Sequence, residues 1–175
     1  DGKIIGRFNG KMEYGPRALG NRSILASPKD NSINDWLNKR LNRSEFMPFA
    51  PSVMREYAEE VYKNFEPGEL AAKFMTITFD VHKKWVDLGP AVVHVDNTAR
   101  PQTVTKEQNK SYYLALKAYK DLSGLPFFVN TSFNMHEEPI ICSPLDAVKA
   151  FNQGSVDVLA IGDYLVSKKA GSKVK

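Results

Sequence analysis

Two arginines, Arg17 and Arg22, stand five residues apart in the segment Tyr-Gly-Pro-Arg-Ala-Leu-Gly-Asn-Arg-Ser that spans residues 14–23. Gly15-Pro16 breaks regular structure, and Gly20 permits a backbone turn that other residues resist. The guanidinium groups therefore belong on an ordered turn rather than on a solvated helix face. Each is a planar fork of donors that matches a phosphate or a carboxylate bidentately. Pairing with acidic side chains at the surface would explain either arginine by itself. Two further polar segments tilt the balance toward anion binding.

The second segment, residues 94–103, carries His94, Asp96, Thr98, Arg100 and Gln102, with Pro101 as an anchor. It follows an apolar run at 91–95 that is expected to be a buried strand, and loops at strand ends are common ligand sites. For His94 a satisfied core histidine is the somewhat stronger reading; for Arg100 anion binding is preferred to an exposed ion pair. The third segment is Asn130-Thr131-Ser132-Phe133-Asn134, again at the end of an apolar strand. Uncharged hydroxyls and amides at this density suit hydrogen bonds to a sugar, a base or a neutral amide. Local turn closure could use two of the four polar groups, not all of them. Lys39, Arg40 and Arg43 make a weaker feature at the end of the first helix, where cations favour the helix dipole in any case. There is no Gly-rich P-loop and no histidine or carboxylate pair at metal-ligand spacing. Arginines, hydroxyls and amides without an evident nucleophile suit chemistry driven by positioning and charge neutralisation, of which phosphoryl and nucleotidyl transfer are examples.

The elements expected to hold these groups are short. Residues 4–8 and 23–26 read as strands. A helix capped by Asp30 or Ser32 runs to about Asn42, with Ile33, Trp36, Leu37 and Leu41 as its apolar stripe. Residues 46–53 form a stiff, proline-broken apolar segment, and a short helix follows at 55–62. Residues 74–81 alternate as a strand does. A helix covers 108–122, Gly124-Leu125-Pro126 turns into a strand at 127–130, and Ser143-Pro144 opens a helix that ends near 152. Strands at 156–161 and 164–167 flank Gly162-Asp163, a hairpin signal. Residues 169–175 read as a flexible tail. Strands and helices mix without strict alternation, which predicts an α+β (mixed α/β) fold around one sheet.

Composition sets limits. The chain has 175 residues, enough for one domain with a real core, and its 42% hydrophobic and 25% charged shares are those of a soluble globular protein. No apolar run is long enough to span a membrane. The single cysteine, Cys142, rules out an internal disulfide and suits a reducing, cytoplasmic setting. A net charge of +4 is modest for a protein built to grip nucleic-acid backbone. The chain opens on a strand with no lead-in, as a domain excised from a longer polypeptide would.

In order, residues 13–25, 48–53, 94–104, 130–134 and 138–140 resemble the carboxy-terminal domain of the NodU/CmcH-family carbamoyltransferases, which carbamoylate hydroxyl groups of nodulation factors and antibiotics. The likeness implies a YrdC-like domain over residues 1–168, a twisted mixed sheet with flanking helices. It implies activation of carbamoyl phosphate by ATP with Mg²⁺ to carbamoyl adenylate and pyrophosphate. Transfer to the acceptor hydroxyl, of a sugar or a secondary metabolite, would fall to an amino-terminal kinase-like domain with an iron-binding histidine pair. That domain is expected as a partner on the same polypeptide. By resemblance, Arg17, Arg22 and Arg100 act on the reacting anion. Asn21, Lys39, Arg43, His94, Asp96, Thr98, Gln102, Asn130, Thr131, Ser132 and Asn134 bind substrate or nucleotide. Ser132-Phe133-Asn134 matches the Ser-x-Asn signature of such sites; Leu41-Asn42-Arg43 keeps the arginine of the companion Lys-x-Arg signature and lacks its lysine. Met47, Asn97 and His136-Glu137 also depart from the pattern. Two rival readings stay open: an RNA-binding module, disfavoured by acids interleaved with the bases, and a docking domain with no chemistry of its own.

Overall fold

Short runs rich in Ile, Val, Leu and Phe can satisfy their backbone groups only by pairing, and they pair here into one sheet. A computed structural model describes residues 2–41, 49–135 and 137–168. The first half contains β1 (Ile5–Phe8), β2 (Arg22–Ala26), α1 (Ser32–Arg40), β3 (Ala50–Met54), α2 (Ala58–Val61), α3 (Glu69–Ala72), β4 (Phe79–Asp80) and α4 (Lys83–Leu88). The second half contains β5 (Thr98–Ala99), β6 (Gln102–Val104), α5 (Lys110–Ser123), β7 (Phe127–Ser132), α6 (Pro144–Asn152), β8 (Val158–Ile161) and β9 (Tyr164–Ser167).

Seven strands form a mixed sheet in the order β6-β3-β7-β2-β1-β8-β9, and β4 and β5 make a separate ribbon. The β3–β6 and β1–β8 pairs are parallel; the other pairs of the large sheet are antiparallel. The fold is α+β, as the mixture of elements predicted. Along β7 the side chains alternate between two cores. Phe127 and Val129 join the larger cluster with Ile24, Val53 and Phe151, whereas Phe128 joins Leu25, Val104, Tyr112 and Leu116 beneath α5. Asn130, two residues after Phe128, therefore falls on the α5 side.

The two longest carboxy-terminal helices carry explicit stops and starts. Asn109 caps α5 by accepting from the Tyr112 N–H, and Gly124 closes it at φ 80°, a left-handed position that favours glycine. Ser143 and Asp146 form a reciprocal capping box at the start of α6, with Pro144 in the first turn, as Ser143-Pro144 signalled.

Four sequence expectations are corrected. Residues 74–81 yield only β4, because Met75 adopts φ 55° and ends any extended run before it. Residues 91–95 are not a strand: Pro90–Val92 is a 3-10 turn and Val95 is fully exposed, so a turn supplies the burial that the apolar run demanded. Residues 50–53 of the proline-broken segment form an internal strand, buried throughout; Pro51 is tolerated because pairing with β6 begins only at Ser52. Trp36 leaves the apolar stripe of α1 and stacks under the Arg40 guanidinium at 4.0 Å. That helix has Asn31, not Asp30 or Ser32, at its N-cap and ends at Arg40 with Leu41 as its C-cap; Asn42 and the tail at 169–175 lie outside the described residues.

The capping box makes a prediction about acid. Hydrogen bonds from the Ser143 and Cys142 amides hold the Asp146 carboxyl below its ordinary pKa. A depressed carboxyl stabilises fully above its unfolded-state value, about 4, and that contribution is lost as pH falls through the lower folded value. The unfolding midpoint of Asp146→Asn should therefore fall less steeply than that of the parent between about pH 5 and pH 2. Parallel curves would show that this carboxylate does not couple to folding.

Candidate functional site

Between β1 and β2 the chain makes a loop whose two ends, residues 9–11 and 18–21, are tied down by hydrogen bonds to their backbone. The Glu13 carboxylate accepts from the amides of Leu19 at 2.8 Å and Asn21 at 2.6 Å. Ser23 Oγ accepts from the Gly20 amide, and Arg7 Nε donates to the Gly20 carbonyl at 2.7 Å. Gly20 sits at φ 118°, and a Cβ there would meet the Tyr112 ring at 2.5 Å, so only glycine fits.

The loop is also fastened from below. Asn130 Nδ2 donates to the Ala18 carbonyl at 3.1 Å, and Gln102 Nε2 donates to the Leu19 carbonyl at 2.8 Å. These two amides belong to a buried cluster on the α5 side of the sheet. Ser52 Oγ donates to Gln102 Oε1 at 2.7 Å and accepts from Tyr112 Oη at 2.8 Å and Asn130 Nδ2 at 3.0 Å. One donor and two acceptor positions are thus all used. Burial raises the Tyr112 phenol well above its usual pKa, so it stays a neutral donor.

Beside this loop lies a cavity of about 500 Å³, lined on one side by Gly15, Arg17 and Ala18, and on the other by Asn130, Thr131, Ser132, Asn134, Glu137 and Glu138. Arg100 completes it. Residues from all three polar segments, distant in sequence, therefore meet. Among the described residues neither Arg17 nor Arg100 makes a salt bridge. Partial burial lowers the Arg100 pKa, and the positive charge of Arg17 lowers it further. The two guanidiniums therefore repel each other across a shared space, an arrangement that an anion relieves. Asn134 shapes the opposite wall by donating from Nδ2 to the Met135 and Glu138 carbonyls.

Other residues expected at the site go elsewhere. Arg22 is buried, with Nη1 on the Asn9 and Asn21 carbonyls at 3.0 and 2.9 Å, Nη2 on the Gly10 carbonyl at 3.1 Å and the Cys142 carbonyl at 3.5 Å, and its plane 3.6 Å from the Phe8 ring centre. Its Nη1 and Nη2 donors face backbone and not the cavity, and Nε is buried without a partner, so Arg22 holds chain segments together. Asn21 likewise bonds the Lys11 carbonyl and Asn109 Nδ2. Gln102 acts beneath the loop and does not line the cavity. His94, Asp96 and Thr98 close their own turn: Asp96 Oδ1 accepts from the Thr98 amide and hydroxyl, and His94 Nδ1 lies 3.0 Å from Thr98 Oγ1. His94 borders a different depression, with Asn31 and Asn34. Lys39 is exposed on α1 and lines neither space. Arg43 lies outside the described residues.

Sequence reading missed Glu13, Ser52, Glu137 and Glu138. Ser52 has no local signal, because its partners are 50, 60 and 78 positions away. Glu13 offered a weak one, an acid shortly before a turn rich in exposed amides.

The α+β fold thus presents two guanidiniums, without a salt bridge among the described residues, to a rim of hydroxyls, amides and the carboxylates of Glu137 and Glu138. Residues 1–168 match the family described as Carbamoyltransferase C-terminus, and the chain belongs to it. It is 43% identical over 171 residues to an uncharacterized protein of Methanocaldococcus jannaschii, covering 96% of this chain and 32% of that protein. It is 41% identical to nodulation protein NolNO of Sinorhizobium fredii, over 98% of this chain and 25% of the relative. Nodulation protein NolO of Bradyrhizobium diazoefficiens is 39% identical, over 98% of this chain and 31% of its own length. The chain thus spans less than a third of each relative. No helix among the described residues is long and apolar enough to cross a membrane.

Removing the hydroxyl at the centre of the buried cluster tests its structural role. Ser52→Ala leaves the buried Tyr112 hydroxyl without its acceptor, at a cost of about 1–3 kcal/mol, while Asn130 Nδ2 and Gln102 Oε1 keep their mutual hydrogen bond at 2.9 Å. The unfolding midpoint should fall by about 2–4 °C for each kcal/mol lost. An unchanged midpoint would mean that the cluster does not carry the loop.

Proposed function

We propose that this domain activates a carbamoyl group for transfer to a hydroxyl, by binding ATP and carbamoyl phosphate in the cavity and forming carbamoyl adenylate. The observation that carries the reading is the pair Arg17 and Arg100, unpaired among the described residues and facing one cavity of about 500 Å³. That volume lies within the range of small-molecule sites. The family and the nodulation relatives favour carbamoyl transfer over other nucleotidyl chemistry.

In this reading water adds to the carbamoyl carbon of carbamoyl phosphate, the bond from that carbon to the phosphate oxygen breaks, and inorganic phosphate leaves with the electron pair, giving carbamate. A carbamate oxygen bonds to the α-phosphorus of ATP while the bond from that phosphorus to the bridging oxygen breaks, and the electron pair leaves with pyrophosphate. Negative charge builds on the oxygens around the α-phosphorus, where fixed guanidiniums stabilise it without having to reorganise. Arg17 is held ready because its neighbours Ala18 and Leu19 are bonded to Asn130, Gln102 and Glu13. Ser132 and Asn134 offer hydrogen bonds to the carbamoyl amide. Among the described residues no group of three or more His, Cys, Asp or Glu converges as a metal cluster. Magnesium held mainly by the nucleotide's phosphates fits that arrangement and would screen the departing pyrophosphate, with Glu137 and Glu138 as the cavity's carboxylates. Dependence on ATP and a lone cysteine suit a cytoplasmic protein. The hydroxyl acceptor, on a sugar or secondary metabolite, and the transfer step would belong to the further length that the relatives possess.

Calorimetric titration with ATP and with carbamoyl phosphate tests this directly. A charge-assisted hydrogen bond contributes about 1.5–3 kcal/mol, so Arg17→Ala and Arg100→Ala should each weaken binding about ten- to hundredfold. The unfolding midpoint should barely move in Arg17→Ala, since the side chain is exposed and its loss relieves repulsion. Arg22→Ala should do the reverse, lowering the midpoint through four lost carbonyl contacts. Carbamoyl-phosphate-dependent exchange of labelled pyrophosphate into ATP is the expected signature of the adenylate. Parent-like affinity in both Arg17→Ala and Arg100→Ala would refute the assignment.

A further inference from the structure

A second depression, of about 350 Å³, shares Gly15, Pro16, Arg17, Met75 and Arg100 with the first. The shared residues are the divide between the two. On one side stand the hydroxyls and amides of β7 and the turn after it. The other side adds Tyr14, Leu19, Phe74 and Thr76, and contains none of those amides.

Tyr14 and Phe74 are left in water. Tyr14 is 107% exposed and Phe74 is 51% exposed, although each belongs to a constrained piece of chain. Tyr14 directly follows Glu13, whose carboxylate is tied to Leu19 and Asn21. Phe74 lies in a turn closed on the Ala71 carbonyl by its own amide and by the amide and hydroxyl of Thr76. That turn drives Met75 into the left-handed region at φ 55° and buries it, while Phe74 points outward. A methionine rarely adopts such a backbone without compensation. Two exposed aromatic side chains that line one depression beside a pair of cations suit a flat, neutral ring attached to an anion.

The proposed reaction requires such a division. In an adenylate the α-phosphate is bonded to the nucleoside on one side and to the carbamoyl oxygen on the other. A site that makes this bond must hold the phosphate between two compartments of different character. We infer that Tyr14 and Phe74 form the nucleobase subsite, stacking on the purine of ATP, while Arg17 and Arg100 hold the phosphates at the divide and the β7 rim receives the carbamoyl group. This inference rests on the adenylate-forming reading and adds the polarity of the bound nucleotide to it.

The test compares ATP with tripolyphosphate, which has the same charged chain and no base. Base–aromatic stacking is strong enough that Tyr14→Ala with Phe74→Ala should weaken ATP binding by about five- to 150-fold. Tripolyphosphate should bind the double variant as it binds the parent, and Tyr14→Trp should keep ATP affinity. If ATP affinity is unchanged in the double variant, or if both ligands lose equally, the nucleobase subsite is overturned while nucleotide binding stands. If the parent binds neither ligand, the adenylate-forming reading fails and this inference fails with it.

Discussion

A single buried hydroxyl, Ser52 Oγ, joins the parts on which the site depends. It receives protons from the α5 phenol of Tyr112 and the β7 amide of Asn130, and gives its own to the β6 amide of Gln102. Asn130 and Gln102 then grasp consecutive carbonyls, those of Ala18 and Leu19. Helix, three strands and the arginine loop are therefore fastened through one saturated atom. Polar groups in a low-dielectric interior are costly unless they are satisfied, so such a cluster tolerates few alternative geometries. The result is a loop with little freedom to move Arg17 away from the cavity.

The three arginines expected to act alike show how charge is sorted by the supply of acceptors. Arg22 is surrounded by carbonyl oxygens and a ring face, which replace its hydration and keep it inside. Arg7 is treated in the same way, by the Gly20 carbonyl and Ser111. Arg17 and Arg100 have no such shell and face each other across open space. A protein gains nothing in stability from two like charges held together. Such strain is retained where a ligand relieves it, the usual relation between a site and the fold that carries it.

Much of the architecture was legible because it follows local rules. The helix start at Ser143-Pro144, the turn at Gly124 and the hairpin at Gly162-Asp163 each need only a few adjacent residues, and each formed as read. The errors fell where tertiary burial overrode a local pattern. Residues 91–93 are apolar because a turn is packed into the core, not because a strand passes there. Residues 74–78 alternate, yet the closure of a turn on Ala71 governs them. Residues 46–53 read as a proline-broken segment, yet the staggered start of β6 lets Pro51 sit in an internal strand.

The amino-acid sequence alone determined the inventory: three polar segments, their order, the α+β composition, and the glycines and prolines that keep the arginines off helices. These are properties of neighbouring residues and of the likeness between short motifs. Only the tertiary structure decided which members of each segment meet. Arg17, Arg100 and the β7 rim converge, whereas Arg22, Asn21, His94, Asp96 and Thr98 are consumed by their own surroundings. The physical reason is that a side chain's role is set by the acceptors and donors within hydrogen-bond reach. Some of those partners arrive from 50 or more positions away, as Ser52 does for Gln102, and others from the same loop, as the Asn9 and Gly10 carbonyls do for Arg22.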